Sequence, residues 1–320
     1  MSSKPVVMAA VVQAGSILFD TARTLEKLGD LASDASARGA DLAVFPEAFV
    51  GGYPKGLDFG ATVGSRTPAG RDDFLRYHAN AIDVPGPATE AIAAVARAGH
   101  LYIVVGVIER AGGTLYCSAL TFGPDGALLA RRRKLMPTAS ERLVWGFGDG
   151  STLDVASTPL GRIGTAICWE NYMPLLRTTL YAKGVEIYCA PTVDDRVTWL
   201  PTMQTIALEG RCFVVSASQY LVRKDCPADY GAVQGDNPAT VLIRGGSCIV
   251  GPLGNVLIEP DFEGESVRLA ELDRADIVRG KFDFDVVGHY ARPDIFSLSV
   301  NERPLEPVTV TDSGAHAARP

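Results

Sequence analysis

Apolar positions along the chain fall into two periods that alternate. Residues Val6–Val12 are a continuous apolar run ended by Gln13, the mark of a short buried strand. Asp20 can cap a helix in which Leu25, Leu28, Ala32 and Ala35 recur at helical spacing, and Gly39 supplies its stop. The run "DLAVFPE" predicts a second buried strand ending at Pro46-Glu47, which completes a βαβ unit with a right-handed crossover. The unit recurs: "TEAIAAVARAG" reads as a helix and "LYIVVGVIE" as a strand. "TLYCSALTFGPDGALLARRRK" reads as two strands about a Pro124-Asp125-Gly126 turn. "TLDVASTPLGRIGTAICWE" predicts another hairpin-like pair that runs into Cys168. Beyond it come a helix over 174–183 closed by Gly184, a strand over 186–190 stopped by Pro191, a helix over 202–210 and a strand over 213–218. A polar loop with Pro and Gly covers about 221–240, and two further strands flank the turn Gly251-Pro252-Leu253-Gly254-Asn255. The tail "VTVTDSGAHAARP" has no periodicity, which predicts a frayed end. This mixture of βαβ units and hairpins predicts the α/β class, with a mixed sheet or two stacked sheets and helices outside.

Composition narrows the function classes. With 47% hydrophobic residues in 320 and a mean hydropathy of +0.13, the chain can bury a large core, unlike a disordered protein. A net charge of −7 argues against a nucleic-acid partner, and the single basic run Arg131-Arg132-Arg133-Lys134 is too short to reverse that. No stretch approaches the ~20 apolar residues of a membrane span, and the run after Lys4 lacks the length and cleavage motif of a targeting signal. The six cysteines form no CxxC pair and the four histidines no HExxH, so no metal site is expected. Cys117, Cys189, Cys212 and Cys248 lie in apolar runs that suit buried reduced thiols, and a cytoplasmic location follows as an expectation.

Candidate chemistry is defined first by absences. There is no GxSxG elbow and no Walker A sequence; "GFGDGS" (146–151) lacks the third glycine of a dinucleotide fingerprint and does not join a strand to a helix. Three positions stand out by location. Glu47 and Cys168 each follow a predicted strand, and Lys134 ends a segment running out of one. In α/β sheets, sites gather outside the carboxyl ends of strands. Each residue alone has a plainer reading: a solvated Glu, a core Cys, a surface Lys. A carboxylate, an amine and a thiol brought together would instead make a set for covalent catalysis.

The flanking residues favour the second reading. "FPEAFVGGYP" (45–54), "RRKLMPTASERLVWGFGDGS" (132–151) and "ICWENYMPLLRTTLYAKGVEIYCAPT" (167–192) resemble the nitrilase family of carbon–nitrogen hydrolases, in order and in spacing. "IALEGRCFVVSASQ" (206–219), "GGSCIVGPLGNVL" (245–257) and "VGHYARPDIF" (287–296) extend the likeness over roughly residues 6 to 305, with wording closest to true nitrilases, including plant-type enzymes and arylacetonitrilases. The resemblance implies a four-layer α-β-β-α sandwich. It also implies a carbon–nitrogen hydrolase domain over 5–280, a C-terminal extension over 281–306 making subunit contacts, and a tail over 307–320. It makes Cys168 the nucleophile, Glu47 the general base, Lys134 the catalytic lysine and Glu141 a second glutamate of the same pocket; by local pattern, Glu141 could equally cap a turn. Tyr53, Trp145, Trp169, Thr192 and Trp199 are candidates for the substrate pocket, with plain core aromatics the alternative for Trp145 and Trp199. For His289 the resemblance implies a structural or subunit-contact role. The implied partners are a small nitrile (β-cyanoalanine, an arylacetonitrile or an aliphatic dinitrile) and further copies of the chain, as dimers, spirals or filaments.

Hydrolysis of a nitrile to an acid and ammonia suits these groups. A thiolate is a strong side-chain nucleophile, and with a free pKa near ~8.5 the thiol needs either a lowered pKa or a base. Glu47 can take the proton, Lys134 can stabilise developing negative charge, and a helix starting soon after Cys168 would present backbone N–H groups. No cofactor is required. The same groups could also serve an amidase or carbamoylase, the alternative within the superfamily; a catalytically silent scaffold is disfavoured because all three groups are present.

Overall fold

The computed structural model describes residues 4–305 and 308. The first half of the chain forms strand β1 (Val6–Gln13), helix α1 (Thr21–Ala37) and β2 (Leu42–Val44), then a small hairpin of β3 (Ala61–Thr62) and β4 (Ser65–Arg66). Helices α2 (Pro68–Asn80) and α3 (Pro87–Gly99) lead into β5 (Tyr102–Ala111), β6 (Thr114–Phe122) and β7 (Leu128–Arg133). The second half forms β8 (Val155–Thr158), β9 (Gly161–Thr165), α4 (Pro174–Ala182), β10 (Ile187–Cys189), α5 (Trp199–Gly210) and β11 (Phe213–Ser216). A hairpin of β12 (Tyr220–Val222) and β13 (Val241–Arg244) follows, then β14 (Cys248–Val250), β15 (Val256–Ile258), β16 (Ser266–Asp273) and α6 (Ala275–Lys281).

Two six-stranded sheets result, ordered β16-β1-β2-β5-β6-β7 and β15-β14-β11-β10-β9-β8. Each has a parallel centre (β1-β2-β5 and β9-β10-β11) with antiparallel edges. The parallel strands read as unbroken apolar runs because both of their faces are covered. Val7, Ala9 and Val11 of β1 meet Ile163, Ile187, Phe213 and Val215 of the other sheet, forming the layer between the sheets. Ala10 and Val12, one position out of phase, pack instead against Leu28 and Ala32 of α1 and Ile92 and Ala96 of α3. Helices α4 and α5 cover the second sheet through Leu176, Leu180, Met203 and Ile206. The architecture is a four-layer α-β-β-α sandwich, as the family resemblance implied.

Most local expectations stand. Asp20 caps α1 by accepting from the Arg23 N–H, and Gly39 follows its end at φ +84°. Several boundaries move, among them β10, which covers only Ile187–Cys189 of the expected 186–190. Helix α5 starts at Trp199 and not at 202, because Pro201 falls in its first turn, where the missing N–H costs nothing. The strand expected to reach Ser218 ends at Ser216. The polar loop about 221–240 is the connection of the β12-β13 hairpin and opens with a 3-10 turn at Arg223–Asp225. Among the described residues, no helix is long and apolar enough to cross a membrane, and the six cysteines are free and buried.

Candidate active site

The parallel strands of both sheets end beside one another, and three side chains leave from equivalent places. Glu47, Cys168 and Thr192 each lie three residues beyond the last residue of β2, β9 and β10. Lys134 follows β7 directly, its N–H bonded to the Cys117 carbonyl on β6 at 2.8 Å. The turn carrying Glu47 lies against β5 at Gly106, whose N–H bonds the Pro46 carbonyl. A Cβ at Gly106 would stand 2.3 Å from that carbonyl oxygen and 2.6 Å from the Glu47 Cα, so only glycine lets the turn come this close.

The three groups chosen from the sequence meet. Lys134 Nζ donates to Glu47 Oε1 at 2.7 Å and to Glu141 Oε2 at 2.8 Å, with Glu47 and Lys134 fully buried. Glu141 Oε2 also accepts the Thr138 N–H at 2.6 Å, and its Oε1 accepts the Tyr53 hydroxyl at 2.8 Å. Glu141 thus caps its 3-10 turn and contacts the lysine at once. Thr192 donates its hydroxyl to Cys168 Sγ at 3.3 Å. Glu47 Oε2 is buried with no hydrogen-bond partner among the described residues.

Electrostatics sort the protonation states. Burial pulls the Lys134 pKa down, but the carboxylates of Glu47, first, and Glu141 outweigh it and hold the ammonium well above its usual range. Burial, opposed by Lys134 and reinforced by Glu141, raises Glu47 above an ordinary carboxylate. Burial first, then the negative charge of Glu47, pushes the Cys168 thiol far up despite Lys134. Of the two routes open to the sequence reading, this direction favours removal of the thiol proton by a base over a lowered thiol pKa.

A second set of contacts fixes Cys168. Cys168 sits at φ +51°, left-handed backbone that costs a non-glycine residue roughly 1–2 kcal/mol. Its N–H bonds the Pro191 carbonyl at 2.9 Å, and the Asn171 amide donates to the carbonyls of Cys168 and Ala166. Glu170 ties the nucleophile turn to the lysine strand: Oε2 accepts the Ile167 N–H, while Oε1 accepts the Leu135 N–H and the guanidinium of buried Arg132 at 2.8 Å. Gln219, three residues past β11, donates to the Glu47 carbonyl at 2.8 Å. The sequence reading missed these supports, although Gln219, Glu170 and Asn171 all lie inside the quoted motif blocks.

Cys168 opens into a cavity of about 190 Å³ walled by Tyr53, Glu141, Trp169, Asp194 and Arg196. Tyr53 and Glu141 also wall a neighbouring, mostly apolar cavity of about 360 Å³, with Leu57, Phe59, Val144 and Trp145. Trp169 thus borders the nucleophile's cavity, where its indole N–H bonds Asp194 and Arg196 lies over its ring. Trp145 borders the second cavity, with its ring 5.5 Å from Lys134 Nζ and its N–H on Tyr77. Trp199 is not a pocket wall: it packs in the core outside the second sheet, its N–H on the Ser216 hydroxyl. His289 is exposed, away from these contacts. Among the described residues no group of three His, Cys, Asp or Glu side chains is arranged to hold a metal.

Comparison with known proteins agrees with this geometry. Residues 8–282 match the carbon-nitrogen hydrolase family model. An aliphatic nitrilase from Sinorhizobium fredii (strain HH103) is 59% identical over 94% of this chain and 97% of its own. A bifunctional nitrilase/nitrile hydratase from Lupinus angustifolius is 54% identical over 97% and 90%. Among solved structures, a carbon-nitrogen hydrolase from Helicobacter pylori G27 superposes with a TM-score of 0.71 at 20% identity, covering 91% of this chain and 97% of that one, and shares the fold. With a family match along most of its length and relatives this similar, the chain belongs to the carbon-nitrogen hydrolases, in their nitrilase branch.

Proposed function

We propose that the chain hydrolyses an organic nitrile to the carboxylic acid and ammonia, with Cys168 as nucleophile, Glu47 as general base, and Lys134 and Glu141 completing the set. The observation that carries the assignment of roles is the buried contact of Lys134 with both glutamates beside the Cys168 side chain. Cys168 Sγ attacks the nitrile carbon while its proton passes to Glu47 and on to the nitrogen, giving a thioimidate. A water adds to that carbon, its first proton passing through Glu47 to the nitrogen, and Lys134 stabilises the tetrahedral intermediate. Glu47 then moves the hydroxyl proton to the amine, the C–N bond breaks, ammonia leaves, and a thioester remains. A second water releases the acid and restores the thiol. In this reading the main-chain N–H of Trp169, the residue after Cys168, serves as a donor for charge developing on the substrate. The apolar lining of the larger cavity suits the organic part of the substrate. The buried reduced thiols suit a cytoplasmic setting.

The competing reading, an amidase acting on an sp² carbon, is tested by matched nitrile and amide substrates with ammonia as the readout. Faster release from the nitrile is expected; faster release from the amide overturns the choice. The tetrahedral intermediate can also expel the sulfur in place of ammonia, which yields the amide. Chromatography should therefore find amide as a minor product, and its absence with every nitrile hydrolysed would count against that partition.

Glu141 carries its own expectation. In Glu141→Gln the acceptor for Lys134 and Tyr53 loses its charge, and turnover should fall by roughly thirtyfold, the equivalent of a charge-assisted hydrogen bond of about 2 kcal/mol. Wild-type turnover in that variant would remove Glu141 from the mechanism.

A further inference from the structure

One buried thiol outside the proposed nucleophile touches the reacting groups. Cys117, on β6 and fully buried, places its Sγ 3.5 Å from Glu47 Oε1, while its carbonyl accepts the N–H of Lys134. Oε1 thereby takes two donors, the Lys134 ammonium and the Cys117 thiol, and Oε2 of the same carboxylate has none among the described residues. A carboxylate oxygen with its lone pairs occupied is a poor proton acceptor, whereas a bare oxygen in a water-poor site is a good one. We propose that Cys117 is a positioning residue: its S–H donates to Glu47 Oε1, fixing the carboxylate so that Oε2 is the oxygen that receives the proton of Cys168.

The chemistry of the site keeps Cys117 in that role. Burial and the charge of Glu47 push its thiol well above the usual range, so it stays an S–H donor and does not compete as a thiolate nucleophile. The groups acting on Glu47 from the packed elements are Lys134 after β7, Glu141 from its 3-10 turn and Cys168 after β9. Tyr53 faces the same pair of carboxylates, and Tyr77 lies near Cys117. The two groups that hydrogen-bond Oε1 are Lys134 and, beyond those just named, Cys117. An S–H donor favours the ionised carboxylate, the form that can accept a proton. Its loss makes Glu47 harder to ionise and moves the acid limb of activity to higher pH.

The proposal rests on Glu47 acting as the base, and the test separates the two ideas. Cys117→Ala, Cys117→Val and Cys117→Ser are compared with the wild type for the pH dependence of kcat/KM on a nitrile. The pH dependence of Cys168 alkylation by iodoacetamide, followed on its peptide by mass spectrometry, needs no turnover. Alanine and valine, which lack a donor, should lower kcat about fivefold near neutral pH with little change in KM. They should move the acid limb up by on the order of half a pH unit in both assays. Serine keeps a donor and should recover most of that shift; a role in packing alone would be served by valine and not by serine. Acid limbs of the alanine and valine variants that superimpose on the wild type, or a serine limb displaced as far as theirs, overturn the proposal. Should no nitrile be turned over by the wild type, the nitrilase reading fails, while the alkylation profiles still decide the role of Cys117.

Discussion

Replacing Cys168 with alanine should take ammonia release from nitriles down to the assay background, on the order of a millionfold below the wild type, as expected when the nucleophile of a coupled set is removed. The change deletes one sulfur whose hydrogen bond comes from Thr192, and the left-handed backbone at 168 treats alanine no worse than cysteine. Fold and stability should therefore survive, and the loss is one of chemistry. Retained far-UV circular dichroism and a retained urea midpoint would establish that. The remaining cysteines offer no substitute: four have no place in the contacts around Lys134, and Cys117 donates to Glu47 Oε1, the oxygen already held by Lys134. Ammonia release persisting in the alanine variant, in a preparation free of wild-type enzyme, would dismantle the covalent mechanism and with it the roles of Glu47 and Lys134.

Arg132→Met should be the most damaging substitution for stability near the site. Arg132 and Glu170 are both buried, and the guanidinium is the one cation on Glu170 among the described ion pairs. Methionine fills much of the arginine stem's volume but strands a carboxylate in the interior, an error that typically costs about 3–5 kcal/mol. Urea unfolding should show that loss as a lower midpoint at unchanged slope. Because Glu170 joins the turn at Ile167 to the strand end at Leu135, turnover of the folded fraction should fall as well. Adding Glu170→Gln to Arg132→Met removes the stranded charge and should return part of the stability, while leaving the turn and the strand end less firmly joined. A loss below about 1 kcal/mol in the single variant would mean that water reaches the pair and that the clamp is weaker than its burial implies.

Legibility in the sequence followed the physics of each signal. Helix α1, the central strands and the turn at Pro124-Asp125-Gly126 were readable because cap, period and punctuation agree over short windows. Helix α2 was not: within "PAGRDDFLRYHAN" its buried face amounts to Gly70 and Tyr77, too sparse to set a period. Strand β16 was missed for another reason. It is a half-exposed edge whose partner β1 lies at the other end of the chain, and no local pattern announces such a pairing. At the site, Glu47, Lys134 and Cys168 could be named from motif blocks, but their burial could not. A glutamate after a strand is ordinarily solvated, and what makes its burial tolerable is a lysine brought from another strand. The contacts of Arg132, Gln219 and Cys117 were invisible for the same reason: each is a tertiary pairing between residues unremarkable in their own segments.

The acid and the amine hang from one sheet while the sulfur hangs from the other, and the first of those sheets closes only when the strand near residue 270 lies down beside the one near residue 10. A nascent chain stopped short of that strand is expected to own the separate reagents with one sheet still lacking its edge. Turnover in such a protein is a late reporter of assembly: it switches on when both layers have docked to within a fraction of an ångström, and it switches off at the first parting of the two, well before the helices melt.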